Sequence, residues 1–162
     1  MSYIGIDNGV SGTIGILGAP ISPQFIYTPV KSELNYTKKK SNITRINTSL
    51  LKSTLSQFKP KMVLIERPMV NPSRFQATSS ALRALEATLI VLEELNLPYQ
   101  YIDSKEWQKE LLPSGIKGSA NLKEASKQIG CRLFPEFCSE IEKHGDADGL
   151  LIAEYCRRHY AI

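Results

Sequence analysis

Cysteine is scarce in this sequence: three residues in 162, at Cys131, Cys138 and Cys156, with no Cys-x-x-Cys pair. An odd number without paired spacing argues against a disulfide scaffold. It favours buried free thiols and a reducing compartment. Cys131, Cys138 and His144 match no usual zinc-ligand spacing either. A large charge of one sign is also missing. Twenty Lys and Arg against sixteen Asp and Glu leave +4, a surplus that permits nucleic acid as a partner without requiring it. No long apolar run exists. The best stretch, residues 81–95, is interrupted by Arg83, Glu86, Glu93 and Glu94, so no membrane span is expected. The N-terminus has no basic region followed by an apolar core, so no signal peptide is expected. Internal repeats and low-complexity segments are absent. What remains is an ordinary globular composition, 42% hydrophobic, of a length that suits one domain over residues 1–162.

The pattern along the chain supplies the fold class. Tyr3 to Ile6, Gly12 to Leu17 and Gln24 to Thr28 read as three strands, with an Asn8-Gly9 turn after the first. The polar stretch from Val30 to Arg45 reads as a surface loop with little structure of its own. It carries Lys38, Lys39 and Lys40, which form either a solvated face or a basic arm touching phosphates. Ile46, Leu50, Leu51, Leu55 and Phe58 have helical spacing, stopped by Pro60. Met62 to Ile65 reads as a buried strand closed by Glu66 and, two residues on, Pro68.

A long helix is expected from about Phe75 to Leu95, with Leu82, Leu85, Leu89 and Leu92 as its apolar stripe. Tyr99 to Ile102 is a further strand, Lys105 to Leu112 a short helix and Asn121 to Leu133 another. The last helix spans about Asp146 to His159. A meander followed by alternating helix and strand predicts an α/β protein with a mixed sheet covered by helices.

Three acids stand at element ends: Asp7 after the first strand, Glu66 after the fourth, and Asp148 in the first turn of the last helix. Asp148, Leu151, Ile152 and Tyr155 lie at i, i+3, i+4 and i+7, which puts Asp148 on the inward face. Asp146, two residues earlier, lies about 200° round the helix and reads as an outward-pointing N-cap. His144 falls four before Asp148, on its face if the helix starts that early. Two unit charges ~4 Å apart repel by about 4 kcal/mol near a protein surface, so converging acids need a cation. Hard carboxylate oxygens suit Mg²⁺ or Mn²⁺, and two such ions can drive phosphodiester hydrolysis. Taken singly, each acid also has a bland reading as a turn or capping residue.

Together, Ile4-Gly5-Ile6-Asp7-Asn8-Gly9, Val63-Leu64-Ile65-Glu66 and Asp146-Ala147-Asp148-Gly149-Leu150-Leu151-Ile152-Ala153 resemble the RuvC-type Holliday junction resolvases of the ribonuclease H-like superfamily. Glu106-Trp107-Gln108-Lys109 and the segment from Lys123 to Pro135 look like the phage and organellar branch. The resemblance implies a homodimeric endonuclease, acting with two divalent ions on branched DNA. A bacterial or phage-infected cytoplasm, or an organellar matrix, is the expected setting.

By position, the resemblance makes Asp7, Glu66 and Asp148 metal ligands. The family's usual fourth ligand falls on Gly145, a departure. His144 or Asp146 is left to fill in, with helix geometry favouring His144 and a short N-terminal turn able to bring Asp146 round. Lys123, and after it Lys109, match the family's lysines near the scissile phosphate. Met69 or Phe75 matches its junction wedge, although Phe75 also reads as core. Arg67 and Arg74 are the best phosphate contacts, ahead of Lys38 to Lys40. Trp107 reads as a packing residue. The rivals are another ribonuclease H-like nuclease acting on RNA–DNA hybrids and a non-catalytic junction-binding protein. A sugar-kinase-like ATPase also opens on Asp-x-Gly, but this chain is too short for its two lobes.

Overall fold

The computed structural model describes residues 1–162. Strands β1 (Ser2–Ile6), β2 (Thr13–Leu17) and β3 (Gln24–Tyr27) form the meander. A second hairpin, β4 (Val30–Leu34) and β5 (Asn42–Ile46), follows, then α1 (Thr48–Leu55), β6 (Pro60–Glu66) and α2 (Phe75–Glu94). The chain continues through β7 (Tyr99–Ile102), α3 (Ser104–Leu111), α4 (Ser119–Leu133), a short 3-10 turn (Pro135–Phe137), α5 (Cys138–His144) and α6 (Asp148–Tyr160). The five-stranded sheet has the order β3-β2-β1-β6-β7. β2 runs antiparallel to β1 and β3, while β1, β6 and β7 are parallel. This is the mixed α/β sheet, meander first, expected from the sequence. No helix is long and apolar enough to cross a membrane.

Strand alternation divides the core between the two faces of the sheet. Ile4, Ile6, Ile14, Ile16, Val63 and Ile65 pack with α1 and α2. Tyr3, Leu17 and Leu64 pack with α3, α4, α5 and α6. On this second face β1 and β2 place glycines where α6 crosses them. A Cβ on Gly5 would lie 2.1 Å from the Ala153 nitrogen, and one on Gly15 would lie 2.5 Å from the Gly149 oxygen. Only glycine permits that approach. The helix is fixed further by a hydrogen bond from the Gly149 N–H to Thr13 Oγ1, 3.1 Å. Its first turn, with Asp148, is thereby seated beside the β1–β2 turn.

Several sequence expectations are corrected. The segment 30–45 is not an unstructured loop but the β4–β5 hairpin, with Lys31 opposite Arg45 and Glu33 opposite Ile43. Its period-two pattern is carried by polar residues. Glu33 accepts from Arg45 on the diagonal at 2.6 Å and pairs with Lys31 at 2.8 Å. Ile46 therefore ends a strand, and α1 starts after Asn47, whose side chain accepts from the Leu50 N–H. On α2 the buried set is Ala84, Thr88, Leu89, Val91 and Leu92, and Leu82 is exposed. Leu89 and Leu92 of the expected stripe are thus buried and Leu85 packs at its edge, while Ala84, Thr88 and Val91 complete the face and Leu82 falls outside it. Finally, Cys131 and Cys138 are joined in a disulfide and only Cys156 is free. Their Cα atoms lie 4.6 Å apart because α4 turns back into α5 between them. With both sulfurs paired, neither offers a thiolate to a metal.

Candidate active site

The site is built where three elements end. Ile6 and Ile65 are partners in the parallel β1–β6 ladder. Asp7 and Glu66, each the next residue, therefore leave the sheet side by side, on strands about 5 Å apart. The Asp7 N–H donates to the Thr13 carbonyl at 3.0 Å, which closes the β1–β2 turn. The third element is α6, whose first residue is Asp148.

Between α5 and α6 the chain turns sharply at Gly145, with φ of 109°, a left-handed conformation that favours glycine. This turn swings Asp146 inward. Its carboxylate is buried, with Oδ1 accepting from the Asp148 N–H at 3.0 Å and Oδ2 accepting from Lys123 Nζ at 2.9 Å. Carboxylate oxygens of Asp7, Asp146 and Asp148 all lie within 4.8 Å of one another. The expectation that Asp146 points outward is corrected: helical phase does not govern a residue that precedes the helix. His144 is the residue left aside. Its ring lies 5.2 Å from that of Tyr27, and its Nε2 reaches only Asp146, at 3.7 Å.

Glu66 stands beside this trio rather than inside it. Its Oε2 accepts a 2.6 Å hydrogen bond from Trp107 Nε1 on α3. Asp148 is held in the same manner, its Oδ1 accepting from Ser126 Oγ on α4 at 2.6 Å. That hydroxyl also accepts from the Ala147 N–H at 3.0 Å. Sequence reasoning missed Ser126 altogether and gave Trp107 only a packing role. A lone serine or tryptophan in a helix carries no mark of a partner more than twenty residues away.

The electrostatics follow from four acids and one lysine. Asp7 is pushed well above the carboxylate range, first by burial and then by the charges of Asp148, Glu66 and Asp146. Burial also raises Glu66, to about 7, against the opposing Trp107 hydrogen bond. Asp148 is raised to about 6 by burial and by Asp146, against Ser126 and Lys123. Burial pulls Lys123 down, but its bond to Asp146 and the surrounding carboxylates leave it raised, hence firmly cationic. Hard oxygen donors crowded at this density suit a divalent cation such as Mg²⁺ or Mn²⁺. A further oxygen next in sequence to Asp7, Asn8 Oδ1, is buried without a partner, while its Nδ2 donates to the Ala81 carbonyl. The residues present therefore fit such an ion.

The remaining expected residues scatter around this centre. Asn8, Glu66, Arg67, Met69, Asn71 and Arg74 line one cleft. Arg67 pairs with Asp103 at 2.8 Å and lies over the Tyr101 ring. Phe75 is 75% exposed and Met69 82%, so the core reading of Phe75 is corrected. Phe75 starts α2, where the helix has not yet reached the sheet. Lys38, Lys39 and Lys40 lie between β4 and β5 and are exposed. Lys109 does not join the acids; it lines a separate cleft with Leu112, Pro113 and Ile116.

No family model and no curated protein matches this chain. Solved structures do. The fold matches that of Thermus thermophilus RuvC. Against T. thermophilus RuvC in complex with a Holliday junction substrate, the TM-score is 0.63 at 14% identity, covering 99% of this chain and 94% of the other. A second Thermus thermophilus RuvC structure gives 0.54 at 15%, covering 99% and 98%. The ribonuclease H-like fold expected from the sequence is thus shown, across nearly the whole chain. At such identities the likeness concerns the fold, and the chemistry has to be argued from the site.

Proposed function

We propose that this chain is a metal-dependent endonuclease that resolves four-way or branched DNA junctions by paired strand cleavage. The observation that carries the reading is the convergence of Asp7, Asp146, Asp148 and Glu66 at the ends of β1, β6 and the start of α6, with Lys123 against them. A solved structure of the same fold holds a Holliday junction substrate. In this reading residues 1–162 form one nuclease domain, and two copies meet the two halves of a symmetric junction.

Asp7, Asp146, Asp148 and Glu66 would hold Mg²⁺ or Mn²⁺, with two ions the expected number. When bound, such ions supply an activated water and stabilise the leaving oxygen of a phosphodiester. The chain's own residues do the rest. Ser126 keeps one oxygen of Asp148 fixed, so the carboxylate needs no reorganisation. Lys123 would contribute a positive charge beside the phosphoryl oxygens, on which negative charge develops. Arg74 and the lysines at 38–40 meet backbone phosphates, and Arg67 joins them on exchanging Asp103 for DNA. Phe75 and Met69 present apolar surface to unstacked bases. Lys109 stands further out, as a phosphate contact at most.

The ground for a non-catalytic reading was Gly145 at the usual fourth-ligand position. Asp146, the next residue, offers a carboxylate in its place beside Asp7 and Asp148, which supports the catalytic reading. The test is cleavage of synthetic four-way junctions with Mg²⁺ or Mn²⁺ by the purified protein. Paired nicks in opposed strands are expected, and Asp7→Asn should bind junctions without cutting them. Cutting of linear RNA–DNA hybrids with junctions left intact would select the rival nuclease.

A further inference from the structure

Trp107 is the one tryptophan in the chain and is fully buried. Its ring lies in the core that α3 shares with α6 and β6. Packing accounts for the ring and leaves the indole N–H to be explained. A buried indole N–H needs an acceptor, and a backbone carbonyl would serve. Here the acceptor is Glu66 Oε2, at 2.6 Å and 41 residues away. Glu66 has a flexible side chain with three rotatable bonds, and no other side chain donates to its carboxylate. The start of α3 is fixed locally, where the Asp103 N–H donates to Glu106 Oε1 at 3.1 Å.

We propose that Trp107 is a positioning residue for Glu66. It holds Oε2 and the carboxylate plane, so that Oε1 remains free to face the Asp7–Asp146–Asp148 cluster. The inference rests on the metal-site reading above. Donors that fix a ligand's orientation typically matter about 10- to 100-fold in metal affinity when removed.

Two measurements test it. Trp107→Phe keeps an aromatic ring in the core and removes only the donor. By titration calorimetry its Mn²⁺ affinity should fall by about tenfold or more, with the thermal midpoint in chelator close to that of the wild type. The second measurement needs no variant at position 107. Because Trp107 is the sole tryptophan, its emission reports on Glu66. Mg²⁺ should change the wild-type emission saturably, and Glu66→Ala should abolish the change. Wild type that binds Mn²⁺ with no response of Trp107 emission to Mg²⁺, and with Trp107→Phe binding equally well, overturns the positioning role alone. Wild type that binds neither ion overturns the metal-site reading and this role with it.

Discussion

Asp7→Asn should stabilise the metal-free protein while abolishing its response to metal. Asp7, Asp146 and Asp148 bring oxygens within 4.8 Å of one another, and Glu66 adds its charge. At an effective dielectric of 20, one pair at that separation repels by about 3 kcal/mol. Burial adds to this repulsion: desolvation first, and the neighbouring acids after it, raise Glu66 to about 7 and Asp148 to about 6, each a cost on the order of 3 kcal/mol when ionised.

These contributions overlap, because removing one charge relieves the others. Asparagine also brings an amide that must find new partners, at a cost of about 1–3 kcal/mol. A net gain of about 1–3 kcal/mol is expected at pH 8 in chelator, or about 2–12 °C in melting temperature for a chain of this size. The raised acids set the sign. Between their unfolded values and about pH 7 the native state binds more protons than the unfolded one, so metal-free stability falls as pH rises. The variant's advantage should therefore be small at pH 4 and large at pH 8. With Mn²⁺ the order reverses, since only wild type gains. Melting scans at both pH values, with chelator and with Mn²⁺, decide the matter. A variant that melts below wild type in chelator at pH 8, or gains as much from Mn²⁺, refutes the reasoning.

Mn²⁺ affinity should rise with pH between about 5 and 7, as Asp148 and Glu66 lose the protons that compete with the ion; titration calorimetry at several pH values across that range measures it, and a flat profile would contradict the site. Ser126→Ala removes the donor to Asp148 and strands the buried Ala147 N–H. It should cost about 1–3 kcal/mol in urea denaturation and lower the cutting rate.

Much of this was legible because burial leaves a periodic trace. β1 and β6 are short apolar runs ending in Asp7 and Glu66, and both are central strands. Asp148 was placed inward by counting along α6, which the seated helix bears out. The β4–β5 hairpin was not legible, because its inner face is only half-buried and is made largely of the polar residues Lys31, Glu33 and Arg45, while the apolar Val30 and Leu34 lie on the exposed face. The disulfide was missed for a related reason: the separation of Cys131 and Cys138 depends on how sharply α4 turns into α5.

By itself, then, the sequence determined which acids end which elements, and on which face of α6 Asp148 lies. Periodicity within one element carries that information. Only the tertiary structure decided that Asp146 and not His144 completes the cluster, since Gly145 turns the chain where no periodicity applies. It alone decided that Trp107 and Ser126 hold Glu66 and Asp148. Those hydrogen bonds join residues 41 and 22 positions apart, and such partners are set by the packing of α3 and α4 against the sheet and α6.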